Sequence, residues 1–263
     1  MKTLTVLMIP FFLYAQVHYA KLEPYDTVTL KAAVSGEVLD ANLSAEGTVV
    51  KHGRIIHIDD RLDRINLKQS QESLKMLGQM LQINQESAKS LKESMQRAKA
   101  SYERIKGLST VSRTQKDSTY NRYASAKTQY LATKEKITSL QKQILDMKYK
   151  IAQLKDTISK KSIVLDGSYL YRLIARKGDF VAPGTPLARV EDLSRGKLVL
   201  FLEPEEATDL KSKKIYLNDK ETDYTVNKLW RVADEKYISS YRAEIYLPVK
   251  EGWFSQLMKV EIK

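Results

Sequence analysis

His52 and His57, with Asp59 and Asp60 just beyond, are the residues whose types and spacing come nearest to a reactive group. The two histidines flank a β-turn pattern, and imidazole with carboxylate would suit a divalent metal. The set is thin. The chain has 263 residues and no cysteine, which excludes thiolate chemistry, disulfides, Cys-ligated zinc and a lipid-modified N-terminal cysteine. No P-loop, no serine-centred elbow and no His-Glu-x-x-His occurs. Met76, Met80, Met95 and Met147 are strung along a helical pattern rather than clustered as a copper relay would need. The expectation is a protein that is not an enzyme and carries no metal or cofactor.

The elements that would position any working residue are easier to read. From Leu67 to Ile105 apolar and small residues recur in alternating steps of three and four: Leu67, Ser70, Leu74, Leu77, Leu81, Asn84, Ala88, Leu91, Met95, Ala98, Tyr102, Ile105. A second series runs Tyr123, Ala126, Tyr130, Thr133, Ile137, Leu140, Ile144, Met147, Ile151, Leu154, Ile158. Each is a heptad seam. Folding the chain back between Thr110 and Val111 sets positions that sum to 221 opposite each other, so that Leu81 meets Leu140 and Leu67 meets Leu154. The register holds without a slip, which predicts an antiparallel hairpin with arms of about 70 Å. Its tip lies in "YERIKGLSTVSRTQ", with Gly107 as a left-handed C-terminal cap and Ser112 with Gln115 as a capping box.

Charge follows the same division. Between Asp60 and Ser162 there are 22 Lys+Arg against 10 Asp+Glu, and the rest of the chain has 22 against 22. A basic chain raises nucleic acid as a partner, but the segment lacks the interleaved aromatics of a stacking platform, so no nucleic acid is expected. The N-terminus has Lys2, an apolar run from Leu4 to Ala15 broken by Pro10, and Ala20 as a cleavage residue. This is the layout of a secretory signal. Its core of roughly 12 residues is short of the ~20 that span a bilayer. Export is expected, with cleavage after Ala20 or retention as an N-terminal anchor left open; the periplasm as destination is what the resemblance given below implies.

Outside the hairpin, "VSGEVLDANLSAEGTVVKHGRIIHIDD" and "IVLDGSYLYRLIARKGDFVAPGTPLARVEDL" share one cadence of β residues punctuated by Gly36, Gly47 and Gly53 and then by Gly167, Gly178 and Gly184. These segments resemble the split half-motifs of the lipoyl-like domain in HlyD-type periplasmic adaptor (membrane fusion) proteins, in which a coiled-coil hairpin separates the halves. "KLVLFLEPEEATDL" resembles the first strand and following helix of that family's β-barrel domain, and "YTVNKLWRVADEKYISSYRAEIYLPV" and "GWFSQLMKVEIK" its later strands. The lysine-bearing turn that carries a lipoyl or biotinyl group is replaced by the hairpin.

The resemblance implies an α+β fold of five segments. They are a signal peptide (1–20), a first lipoyl-like half with an N-terminal strand (21–58), the hairpin (59–162, tip 107–112), a second half (163–194) and a β-barrel domain (195–263). Many adaptors continue into a membrane-proximal domain. Here it is expected to be absent, or reduced to a remnant strand in residues 21–30. The resemblance also implies partners: an inner-membrane transporter of resistance-nodulation-division or ATP-binding-cassette type, an outer-membrane channel of the TolC type, and further copies in a hexameric ring. In the family the tip meets the channel through an arginine, a leucine and a serine. Ser112 matches the serine and Ile105 the leucine; Ser101 stands at the arginine position, with Arg104 three residues on. The competing expectation is an exported coiled-coil chaperone or envelope spacer that holds acidic clients or cell-wall polymer.

Overall fold

The structure is a computed structural model describing residues 16–233, 237, 239–249 and 254–263. The expected signal segment therefore lies outside the described residues as far as position 15. Two compact units are present, one of residues 33–39 and 57–163, the other of residues up to 32, 40–56 and 164–263.

The first unit is dominated by α1 (Arg61–Ile105, 45 residues) and α2 (Arg113–Lys160, 48 residues). Neither contains proline, and Gly78 is the one glycine in either, so nothing interrupts the backbone ladder. The predicted seam is the face that loses solvent. Ser70 and Ala88 are buried on α1, Leu140 and Ile151 on α2. Ser70 and Ile151 are an opposed pair in the fold-back register, a small side chain admitting a large one. Nearer the tip, the rings of Tyr102 and Tyr120 lie 5.3 Å apart.

Helix α1 does not end on a left-handed glycine. Lys106 stays right-handed (φ −59°, ψ −32°) with its N–H on Tyr102 O, and Leu108 N–H reaches Ile105 O at 3.2 Å. A tightened last turn thus satisfies the terminal carbonyls, and Gly107 is not among the glycines of positive φ. Helix α2 starts as expected, with Ser112 extended (φ −62°, ψ 151°) and its hydroxyl oxygen accepting the Gln115 N–H at 3.3 Å.

The strands are β1 (Val17–Lys31), β2 (Gly36–Ala41), β3 (Thr48–Ile58), β4 (Ser162–Leu173), β5 (Phe180–Val181), β6 (Pro186–Leu202), β7 (Ile215–Leu217), β8 (Lys220–Thr222), β9 (Lys228–Ala233), β10 (Tyr241–Leu247) and β11 (Leu257–Ile262). In the second unit the neighbours run β4–β6–β1–β11–β7–β8, with β10 between β6 and β9, and these pairs are antiparallel. Strand β6 shows the driving pattern: Leu198, Leu200 and Leu202, every second residue, are 0–2% exposed. They join Leu22, Ile215, Ile245 and Val260 in one core. Burying one such side chain contributes about 1.5–3 kcal/mol. Gly196 lets β6 pass close by, since a Cβ there would meet Leu22 Cδ1 at 2.7 Å.

The two half-motifs meet in this unit. The Gly47 N–H donates to Leu170 O at 2.8 Å, and Glu46 Oε1 accepts from the Leu173 N–H at 2.6 Å and from Arg176 at 3.2 Å.

Three local expectations change. Gly53 lies inside β3 rather than in a turn, because the β-branched Val49, Val50, Ile55 and Ile56 carry the strand through it. Glu203–Leu210 forms turns rather than a helix: Pro204 opens it and Asp209, at φ 55°, leaves the helical region. Residues 21–30 do not form a strand of their own. They lie in β1, which pairs with β11 through Val17–Lys21 and with β6 through Leu22–Lys31. The segment expected to be lost on cleavage after Ala20 includes Val17–Ala20, which pair with β11, and Ala20 is 3% exposed.

Candidate functional site: the hairpin tip and its base

The tip is built by the two helix ends. Ser101, Arg104 and Ile105 occupy the last turn of α1, and Ser112 is the cap of α2. Arg104 Nη2 donates to Ser101 Oγ at 3.3 Å, so the arginine folds onto the position that resemblance assigns to it. Ile105 is half-buried as the last seam layer, while Arg104 and Ser112 are exposed. Beside them Lys106 pairs with Glu103, whose carboxylate raises the ammonium pKa. Along the first turns of α2 an open groove of about 710 Å³ is lined by Thr114, Asp117, Ser118, Asn121, Ser125 and Gln129. With Arg122 also on the groove and Arg113 at the start of α2, the arrangement offers hydroxyls, amides and exposed guanidinium groups, which suits docking rather than bond-making.

The base of the hairpin is held by charge. Lys161 Nζ donates to Asp59 O at 2.7 Å and to Asp63 Oδ2 at 2.6 Å, tying together residues about a hundred positions apart. The Ile58 N–H reaches Lys161 O at 2.8 Å, and the Asp59 N–H reaches Glu37 O. Asp60 is 2% exposed. It accepts from Arg64 Nε at 2.8 Å, and His57 Nε2 stands 3.3 Å away. Hydrogen bonding from Arg64 lowers the Asp60 pKa against the opposing effect of burial. Asp59 is held well below the usual carboxylate range by its bonds from Arg61. Gly36 sits against this corner, because a Cβ there would lie 2.6 Å from Ile58 Cγ2.

His52 and His57 are thus placed apart in role. His52 is exposed, 3.8 Å from Asp166, and His57 is committed to the Asp60 corner. Of the turn glycines, Gly47, Gly167, Gly178 and Gly184 adopt positive φ. Gly178 does so in a turn closed by the Asp179 N–H on Arg176 O. The Lys161–Asp63 clasp was not anticipated. Its signal was present, since extending the two seams by one step reaches Asp63 and Lys161, opposite charges where apolar residues stop.

In the strand unit a pocket of about 580 Å³ is lined by Lys21, Glu23, Asp26, Tyr171, Arg189 and Lys197. Arg189 spans from Glu191, at 3.1 Å, to the Tyr171 ring, at 4.7 Å. Its charges largely cancel within the wall. Among the described residues no helix is long and apolar enough to cross a membrane.

No sequence-family profile and no curated protein matches the chain. Solved structures do. MacA from Actinobacillus actinomycetemcomitans aligns over 94% of this chain and 78% of its own, at 15% identity and TM-score 0.75. A MacA–MexA chimera carrying the Pseudomonas aeruginosa MexA α-hairpin domain covers 94% and 80%, at 17% identity and TM-score 0.58. A membrane fusion protein from Streptococcus pneumoniae R6 covers 95% and 98%, at 9% identity and TM-score 0.54. The hairpin with its strand assembly is therefore the fold of MacA and of that membrane fusion protein.

Proposed function

We propose that this chain is an HlyD-type periplasmic adaptor, joining an inner-membrane transporter to an outer-membrane channel for efflux or secretion across the envelope. One observation carries the reading: an antiparallel pair of helices of 45 and 48 residues keeps its register to an exposed polar tip, and its fold is that of MacA. In this reading residues 21–58 and 163–194 form the lipoyl-like module and residues 195–263 the barrel module. The hairpin is the reach of the molecule and the tip its docking end. Several copies, six by analogy, would stand side by side, and the β modules would surround the transporter's exit. Recognition at the tip is helix against helix, with Ile105 as the apolar contact, Ser112 as the hydroxyl, and Arg104, leaning on Ser101, as the cation that steers encounter.

Site-specific photocrosslinking in cells tests this, with the crosslinker at position 105 and a control at position 81 in mid-hairpin. A product with an outer-membrane channel from 105 alone is expected. Crosslinks to many soluble proteins, spread evenly along the hairpin, would refute the adaptor and favour an exported chaperone.

A further inference from the structure

The 22 cations of the hairpin segment are not spread evenly round its surface. Along α1 a row beside the seam runs from Arg61 to Lys106 in steps of three and four. Every position in that row is Arg, Lys, Gln or Gly, with Glu103 the one acid. All of them are exposed. The row on the other side of the same helix reads differently, with Ser73, Met76, Met80, Ile83, Ser87 and Ser94 and no lysine. Every lysine of α1 thus lies on one edge, and the opposite row carries only the two arginines Arg97 and Arg104.

Helix α2 adds to the same edge. In an antiparallel pair the equivalent flanking rows of the two arms border one side of the seam. The corresponding row of α2 holds Lys127, Lys134, Lys148 and Lys155, all exposed, with Leu131 and Leu145 exposed between them. Its opposite row holds Arg122, Lys136 and Lys150, so the α1 row carries most of the asymmetry. Charges at seven-residue spacing stand about 10 Å apart. On α1, Arg61, Arg64 and Lys106 have carboxylate partners. Lys68, Lys75, Lys89, Lys92 and Lys99 have no ion pair among the described residues, and neither do the four lysines of α2. A strip of unpaired ammonium groups about 45 Å long results on α1 alone.

We infer that this edge binds an extended anionic glycan, a sugar polymer bearing sulfate, phosphate or carboxylate groups along its length. The composition selects the class. The α1 row interleaves its lysines with Gln71, Gln82, Gln85 and Gln96, amides that bond sugar hydroxyls, and contains no aromatic or aliphatic residue. Protein interfaces are enriched in aromatics, Met and Arg and depleted in Lys, and single-stranded nucleic acid needs stacking rings. A hydrated, flexible polyanion needs neither.

The test uses the full chain with heparin as the glycan probe and poly-L-glutamate as an acidic peptide probe, by titration at several salt concentrations. Two triple variants remove equal charge from exposed sites, K75Q/K89Q/K92Q on the edge and K136Q/K142Q/K150Q elsewhere on α2. Heparin affinity is expected to fall at least tenfold in the first and less than threefold in the second, with a shallower salt dependence only in the first. Equal losses in the two variants would reduce the effect to net charge and overturn the assignment. Tighter binding to polyglutamate than to heparin would also overturn it, in favour of an acidic protein.

Discussion

The hairpin and the strand unit are stabilised in opposite ways. The strand unit concentrates its burial, with Leu22, Leu198, Leu202, Ile245 and Val260 wholly enclosed in one cluster. The hairpin spreads its burial along a single seam, where most layers are only half-covered and the helices' buried residues are Ser70, Ala88, Leu140 and Ile151. One region fails if a central residue fails. The other is a series of similar layers, each worth little, closed at its base by a charged clasp.

The sharpest way to break the comparison is Leu198→Ala. It opens a cavity in the strand core and is expected to cost about 2–5 kcal/mol, read as a lower urea midpoint by circular dichroism. Lys161→Ala removes the clasp at the hairpin base, where Lys161 and Asp63 are mostly buried. Hydrogen bonds to charged groups contribute about 1.5–3 kcal/mol each. The loss should appear as faster hydrogen exchange in the first turn of α1 and the last turn of α2, with the strand core unchanged. A drop in strand-core protection would show that the two regions are not separately stabilised.

Leu81→Ala, in one half-covered layer, is expected to cost about 1–2 kcal/mol, clearly less than Leu198→Ala. Equal costs would erase the distinction. The pH dependence sharpens it further. The folded Asp60 carboxyl lies below its ordinary value, so its contribution is present above the unfolded pKa of about 3.9. It is lost as pH falls through the folded value. Asp60→Asn should remove that part of the acid loss, seen as a smaller difference in melting temperature between pH 7 and pH 3. Smallest of all, Gly107→Ala should leave stability within about 0.5 kcal/mol, because its φ is ordinary and nothing lies within 4 Å of an added Cβ.

The hairpin was legible in the sequence because one repeating constraint, a heptad seam, writes itself into dozens of positions. Both arms and the fold-back point follow from it, and the Ser112 cap follows from its own pairing with Gln115. The strand unit was legible only as cadence. Glycine spacing showed where the chain turns at Gly178 and Gly184, but not that β1 would pair with both β6 and β11. Strand pairing is decided by partners far away in sequence, and no local signal encodes it. Gly107 was misread because a glycine after a helix is compatible with two endings, and the tighter one needs no glycine. The base of the hairpin was half-legible: Asp63 and Lys161 mark where each seam changes from apolar to charged, but the fold-back register sets Lys161 opposite Asp60, so the clasp to Asp63 reaches across a neighbouring layer. The tip residues were legible in position, and Ser101 was unexpected in that it holds Arg104.

A fold-back in which opposed positions share a constant sum makes the arm a ruler with discrete graduations. Deleting seven residues from one arm alone would slide every layer between the deletion and the base against the wrong partner. Deleting opposed heptads, such as 84–90 with 131–137, would restore the seam and shorten the reach by about 10 Å. The length of the hairpin is therefore adjustable in whole heptads, without touching either its base or its tip.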